Sequence, residues 1–146
     1  MTHVITAFFS AFIYSAGFAL AGSEPASRQV DEVYYFSFQE LLLFSLVYAL
    51  PVYFIGGIPS AILLEKTVRK IRASQGASYV YRLLLYSAAG FGVMCAAVVI
   101  ISGGHVLTFL TDLIGYGVFG AVGAVLYFHI YLAVTRVRRY VAQKKR

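Results

Sequence analysis

Tryptophan and asparagine are absent from this chain, and cysteine occurs once, at Cys95. A lone cysteine excludes an intramolecular disulfide, a CxxC redox pair and a thiolate metal cage. Inside the apolar run around it, Cys95 reads as a small packing residue. Charge is scarce as well. Only 12% of the 146 residues are charged, against about 25% in soluble domains, so the chain lacks the polar surface to cover a water-soluble globule. No G-x-x-x-x-G-K-[ST] phosphate loop and no G-x-S-x-G nucleophile elbow occurs. With none of these motifs, the chain reads as a non-enzyme without a cofactor or a resident metal.

What is present is hydrophobicity in long runs. The chain is 60% hydrophobic, with a mean hydropathy of +0.79. Crossing a hydrocarbon core takes about 20 apolar residues, and four segments qualify, approximately 4–22, 41–64, 83–102 and 113–135. Backbone polar groups in lipid must be satisfied within the segment, which makes such runs helices. The residue alternation of a barrel strand is missing. The expected fold is all-α, a four-helix integral membrane bundle forming a single transmembrane domain over residues 1–146. The fourth run is too long as written: Val106 to Thr135 as one helix would measure roughly 45 Å at 1.5 Å per residue. Arg136 marks its inner end, so His105 to Asp112 is expected to form an outer loop or interfacial turn.

The net charge of +6 would point to nucleic acid in a soluble protein. Here the basic residues fall in two blocks beside apolar runs, the pattern of the positive-inside rule rather than of nucleic-acid binding. Lys66, Arg69, Lys70, Arg72 and Arg82 lie between the second and third runs. Arg136, Arg138, Arg139, Lys144, Lys145 and Arg146 lie in the tail, 136–146. These are all but Arg28 of the 12 basic residues. Four spans put both blocks on one side, so both termini are expected inside, with the basic loop and tail facing anionic lipid headgroups. The competing reading is a cleaved leader ending at Ala19-Leu20-Ala21, which would leave three spans. Against it, Met1-Thr2-His3 has no Lys or Arg and the apolar run is longer than a usual leader core. The tyrosines agree with the boundaries: Tyr34, Tyr35 and Tyr116 near the outer interface, Tyr79, Tyr81, Tyr86, Tyr127, Tyr131 and Tyr140 near the inner one.

Three kinds of candidate residue remain. Small residues recur at four-residue spacing: Ala7, Ala11, Ser15 and Ala19 in the first span, Ala88, Gly92 and Ala96 in the third, Gly117 with Ala121 and Gly120 with Ala124 in the fourth. Such stripes allow the close backbone approach that packs helices in lipid, within the chain or between copies. The second span holds Pro51, Gly56, Gly57 and Pro59, which predict a kink or unwound turn between Leu50 and Ser60. Broken helices of this kind line substrate sites in transporters. Finally, Glu40, His105 and Asp112 lie toward the outer face. They could share a divalent metal or a proton. The plainer reading has Glu40 and Asp112 starting helices, where a negative side chain suits the helix dipole, and His105 in a turn after two glycines. His129, two turns inside Arg136, reads as an interfacial residue.

Small multidrug exporters match in size but carry a membrane-embedded Glu in the first span, and small fluoride channels depend on pore Asn; the chain has neither. Gly56-Gly57-Ile58-Pro59-Ser60 followed by Ile62-Leu63-Leu64-Glu65-Lys66 resembles the second span of small uncharacterised four-span membrane proteins of Firmicute bacteria. That likeness implies a four-span bundle and no site; with no extramembrane domain or longer targeting sequence in the residues, a bacterial inner membrane is the expected location. The resulting expectation is a multi-pass membrane protein that binds or modulates another membrane component, whether a protein partner or a second copy. The alternatives are a subunit of an oligomeric small-solute transporter or channel, and a metal-dependent membrane enzyme using Glu40, His105 and Asp112.

Overall fold

The computed structural model describes residues 2–24, 34–68, 75–102 and 110–144. Helix α1 spans Thr2–Gly22. The second long helix comprises α2, Phe38–Pro51, a π-helical turn, Val52–Gly57, and α3, Ile58–Val68. Helix α4 spans Gln75–Ile101 and α5 spans Leu110–Lys144. Four helices, with α2 to α3 counted as one, are long and apolar enough to cross a membrane, and the described residues contain no strand.

The helices run up and down in chain order. At one end, here the distal end, a Cβ on Gly22 would touch Leu41 and the Cys95 thiol faces the carbonyl of Leu113. At the other, the terminal end, Arg138 hydrogen-bonds Thr2 and Arg82 reaches Glu65. Helix α5 does not stop where its apolar run stops. Its 35 residues give a length of roughly 52 Å, and the basic stretch from Arg136 to Lys144 continues the same helix. Arg, Lys and Gln are good helix formers, and leaving the apolar run supplies no stop signal.

The break in the second helix falls on the Pro51 to Pro59 stretch. Neither proline has an N–H to donate. The backbone accommodates them by widening: the Ile58 N–H donates to Tyr53 O, five residues back. This turn divides the helix by partner as well as by geometry. Helix α2 packs mainly on α1, whereas the π turn and α3 also pack on α4.

Two seams hold the bundle. On α1 the buried residues are Thr6, Ala7, Ser10, Ala11, Ser15 and Ala19, all of them small. The Thr6 and Ser10 hydroxyls donate back to the carbonyls of Thr2 and Thr6, at 2.9 and 2.7 Å, whereas the Ser15 hydroxyl on the same face is buried without a partner. Between α4 and α5 the contact is backbone on backbone, where a Cβ on Gly90 would collide with the Gly120 carbonyl and with Ala124. Gly117 lies under the Phe91 ring. The other small stripe of α4 is not a seam within the chain. Ala88, Gly92 and Ala96 are exposed, and a Cβ on Gly92 would meet nothing within 4 Å. Helix α5 meets the Gly90 side of α4 and leaves the Gly92 side outward, so the stripe makes no close approach within the chain. Gly117 is buried and Ala121 half-buried.

Candidate functional site

Between the helices lies a cavity of about 310 Å³ to which every long helix contributes. The second helix supplies the largest share of the wall, from Phe44 through the π turn to Leu64. Helix α1 adds Tyr14 and Phe18, α4 adds Tyr86 to Met94, and α5 adds Tyr116 to Tyr127. The break in the second helix is what makes the space. The turn moves α2 onto α1 while α3 stays with α4, and the gap between α2 and α4 remains open. The lining is almost wholly apolar; Ser45, one of its few polar members, donates to the carbonyls of Leu42 and Ser15 at 3.2 and 3.4 Å.

The two ends of the cavity differ. Toward the distal end its rim is exposed: Phe44 is 62% accessible, Tyr48 55% and Phe119 51%. Toward the terminal end it is lined by three buried tyrosines, Tyr53, Tyr86 and Tyr127, none more than 8% exposed, together with Ala61 and Leu64. Tyr127 stacks on both others, at ring-centroid distances of 6.2 Å to Tyr53 and 6.3 Å to Tyr86. Each hydroxyl is tied to a different element. Tyr53 donates to Gly123 O at 2.9 Å, Tyr86 to the Glu65 carboxylate at 3.4 Å, and Tyr127 pairs with His3 Nδ1 at 3.0 Å. The rings thus face an apolar space and two of the three hydroxyls face a polar layer. That layer holds Glu65, 8% exposed, its ion-pair partner Arg82 at 3.4 Å, and His3 stacked on Tyr131. The Arg82 Nε is buried without a hydrogen-bond partner.

This arrangement corrects the interfacial reading of Tyr86 and Tyr127. An amphipathic ring favours the headgroup level only when its hydroxyl finds water there; here the hydroxyls find Glu65 and His3 inside the bundle. Tyr79, Tyr81 and Tyr140 are exposed, and His129 is exposed with its Nε2 3.0 Å from the Tyr79 hydroxyl.

The expected polar trio is positioned otherwise. Glu40 closes a capping box at the start of α2: the Ser37 N–H donates to its carboxylate at 2.8 Å, and its own N–H donates to Ser37 Oγ at 3.3 Å. The Tyr34 hydroxyl also donates to Glu40, and that carboxylate holds the Tyr34 phenol above its ordinary pKa. Asp112 is exposed in the first turn of α5. His105 lies outside the described residues, so the trio cannot be placed as a set. Among the described residues no group of three His, Cys, Asp or Glu side chains could hold a metal ion.

The floor escaped the sequence reading because its members lie 33 and 41 residues apart, on three helices. A signal did exist in Glu65, the one acid in a segment otherwise basic from Lys66 to Arg82. An acid held near a span end amid cations is a natural ion-pair member. No family model matches this chain, and no curated protein or solved structure is significantly similar to it.

Proposed function

We propose that this chain is a four-span bacterial membrane protein, with both termini on the cytoplasmic side, that binds a hydrophobic component of the membrane in its bundle cavity. The reading is of a binding protein, not an enzyme. One observation carries it: an almost wholly apolar space of about 310 Å³, within the size range of sites that hold small organic ligands, about 300–1,000 Å³. Water gains nothing from such a lining, and a hydrocarbon chain gains contact with it. The exposed aromatic rim lies in the apolar stretch of the helices, so the proposed ligand enters sideways from the bilayer. Charge bias supports the orientation, since the basic residues cluster at the terminal end, and Arg136, Arg138, Arg139 and Lys144 along α5 suit anionic headgroups there.

Two experiments test the proposal. In a Cys95→Ala background, single cysteines at Ser27 and Ser74 are expected to label from opposite sides of the membrane; labelling of both from one side rejects four spans. In nanodiscs of phosphatidylglycerol and phosphatidylethanolamine, a diazirine-bearing fatty acid is expected to label peptides containing Tyr48, Val93 or Phe119. Labelling confined to the outward faces of α1 and α4 rejects the cavity as a binding site. A second reading, a subunit of an oligomeric transporter, is favoured by the π turn beside the cavity; solute flux in proteoliposomes that disappears on Gly57→Leu separates it from simple binding.

A further inference from the structure

We infer that the Tyr53, Tyr86 and Tyr127 floor is a length gauge, and that the ligand is a single unbranched hydrocarbon chain of the membrane, admitted to a fixed depth with its polar end at the distal rim. The inference rests on the binding reading above and adds chain selectivity to it.

The volume argues for one chain. A cavity of about 310 Å³ stands at the low end of sites that hold small organic ligands, about 300–1,000 Å³, which favours one chain over the two of a phospholipid. The direction follows from the two ends. At the rim Tyr116 is exposed near the start of α5, so a headgroup beside it lies at the distal end of the helices and keeps its solvation. At the floor a headgroup would meet three ring faces, and anything that passed them would displace hydrogen bonds to Glu65 and His3. Burying those groups without partners is strongly unfavourable.

The floor is also held firmly enough to measure. Its rings come from the π turn, α4 and α5, and stack on one another. Their hydroxyls are tied to α5, α3 and α1, so moving one ring breaks a contact to another helix. Tyr53 is the member whose removal disturbs the polar layer least. Its hydroxyl bonds to Gly123 O rather than to Glu65 or His3.

The test is competition against the diazirine fatty acid by unlabelled saturated fatty acids of increasing length, with the full chain in nanodiscs. Competitors are compared by their mole fraction in the bilayer, and each added methylene that packs against the cavity wall is expected to lower the fraction needed for displacement. The gain should cease at the floor, giving the wild type a break at one chain length. Tyr53→Ala deepens the cavity, and its break is expected at longer chains. Ala61→Leu adds volume beside the floor, where Ala61 is fully enclosed, and its break is expected at shorter chains. Tyr53→Phe keeps the ring and should keep the wild-type break, which separates a length effect from loss of fold. A break at one length in the wild type, Tyr53→Ala and Ala61→Leu overturns the gauge while leaving cavity binding intact. Absence of competable labelling in the wild type overturns both. If Tyr53→Ala does not fold, Ala61→Leu against the wild type decides alone: an unmoved break rejects the gauge.

Discussion

Helices α1 and α4 carry small residues at the same four-residue spacing, and the bundle uses them in opposite ways. Ala7, Ala11, Ser15 and Ala19 on α1 are enclosed, while Ala88, Gly92 and Ala96 on α4 face outward. The difference lies in the neighbours. Helix α1 packs on α2 and α5 as well as on the π turn, and its small face turns toward them. Helix α4 packs chiefly on α5, and the contact runs through Gly90, two residues from the stripe. A rotation of two residues is about 200° on a helix of 3.6 residues per turn, so Gly90 and Gly92 lie on nearly opposite faces. Spacing marks where close approach is permitted; the partner's position determines where it occurs.

Substitutions can break that comparison, and the largest effect is expected at the backbone seam. A side chain on Gly90 would have to pass through the Gly120 carbonyl and Ala124, and neither can swing aside. Gly90→Leu is expected to cost about 3 kcal/mol, the upper range for overpacking. Thermal unfolding in detergent should report a drop of many degrees. A melting temperature within a degree of wild type would mean that α4 and α5 are not in contact there.

The ion pair at the terminal end comes next. Glu65→Ala leaves the Arg82 guanidinium, whose Nε already lacks a partner, with no anion beside it. Breaking a fully buried pair costs roughly 3–5 kcal/mol. The Arg82 side chain is 27% accessible, so water screens part of this, and about 1–3 kcal/mol is expected. Glu65→Ala combined with Arg82→Met should recover much of the loss in the same melting assay. Equal losses in the single and double variants would show that the pair is not the source.

On α1, Ala11→Leu inserts three carbons into a face with no free space. About 1–3 kcal/mol is expected, read as a lower detergent melting temperature, and Phe12→Leu on the exposed side serves as its control. The smallest effect is expected at Gly92→Leu, within about 0.5 kcal/mol of wild type, because a Cβ there meets open space. A large loss at Gly92 accompanied by a change in oligomer mass would reveal a second copy on the outward stripe.

The same contrast separates what was legible in the residues from what was not. The four runs were legible because each is long, apolar and free of charge at its centre. The broken second helix was legible because proline carries its backbone consequence wherever it stands. The first turn of α2 was legible in part: Glu40 starts the helix, and Ser37 three residues earlier completes the box. The outward face of α4 was not legible, since Ala88 and Ala89 read alike until a partner helix is placed. Nor was the tyrosine floor, since a tyrosine near a span end looks the same whether its hydroxyl meets water or a buried carboxylate.

By itself, the sequence determined the number of long helices, the break at Pro51 to Pro59, the charge asymmetry of the two ends and the absence of a nucleotide or thiol motif. All of these are local: hydrophobic run length, a missing N–H and charge density are properties of neighbouring residues. The tertiary structure decided which small stripe became a seam, which tyrosines left the interface for the interior, and that Glu65 would meet Arg82 and Tyr86. It also decided that a space would remain between α2 and α4. Those outcomes depend on the rotation of each helix about its own axis. In an apolar surround, where one hydrophobic face is as soluble as another, that rotation is set by fit against the other helices and not by a sidedness written into any one of them.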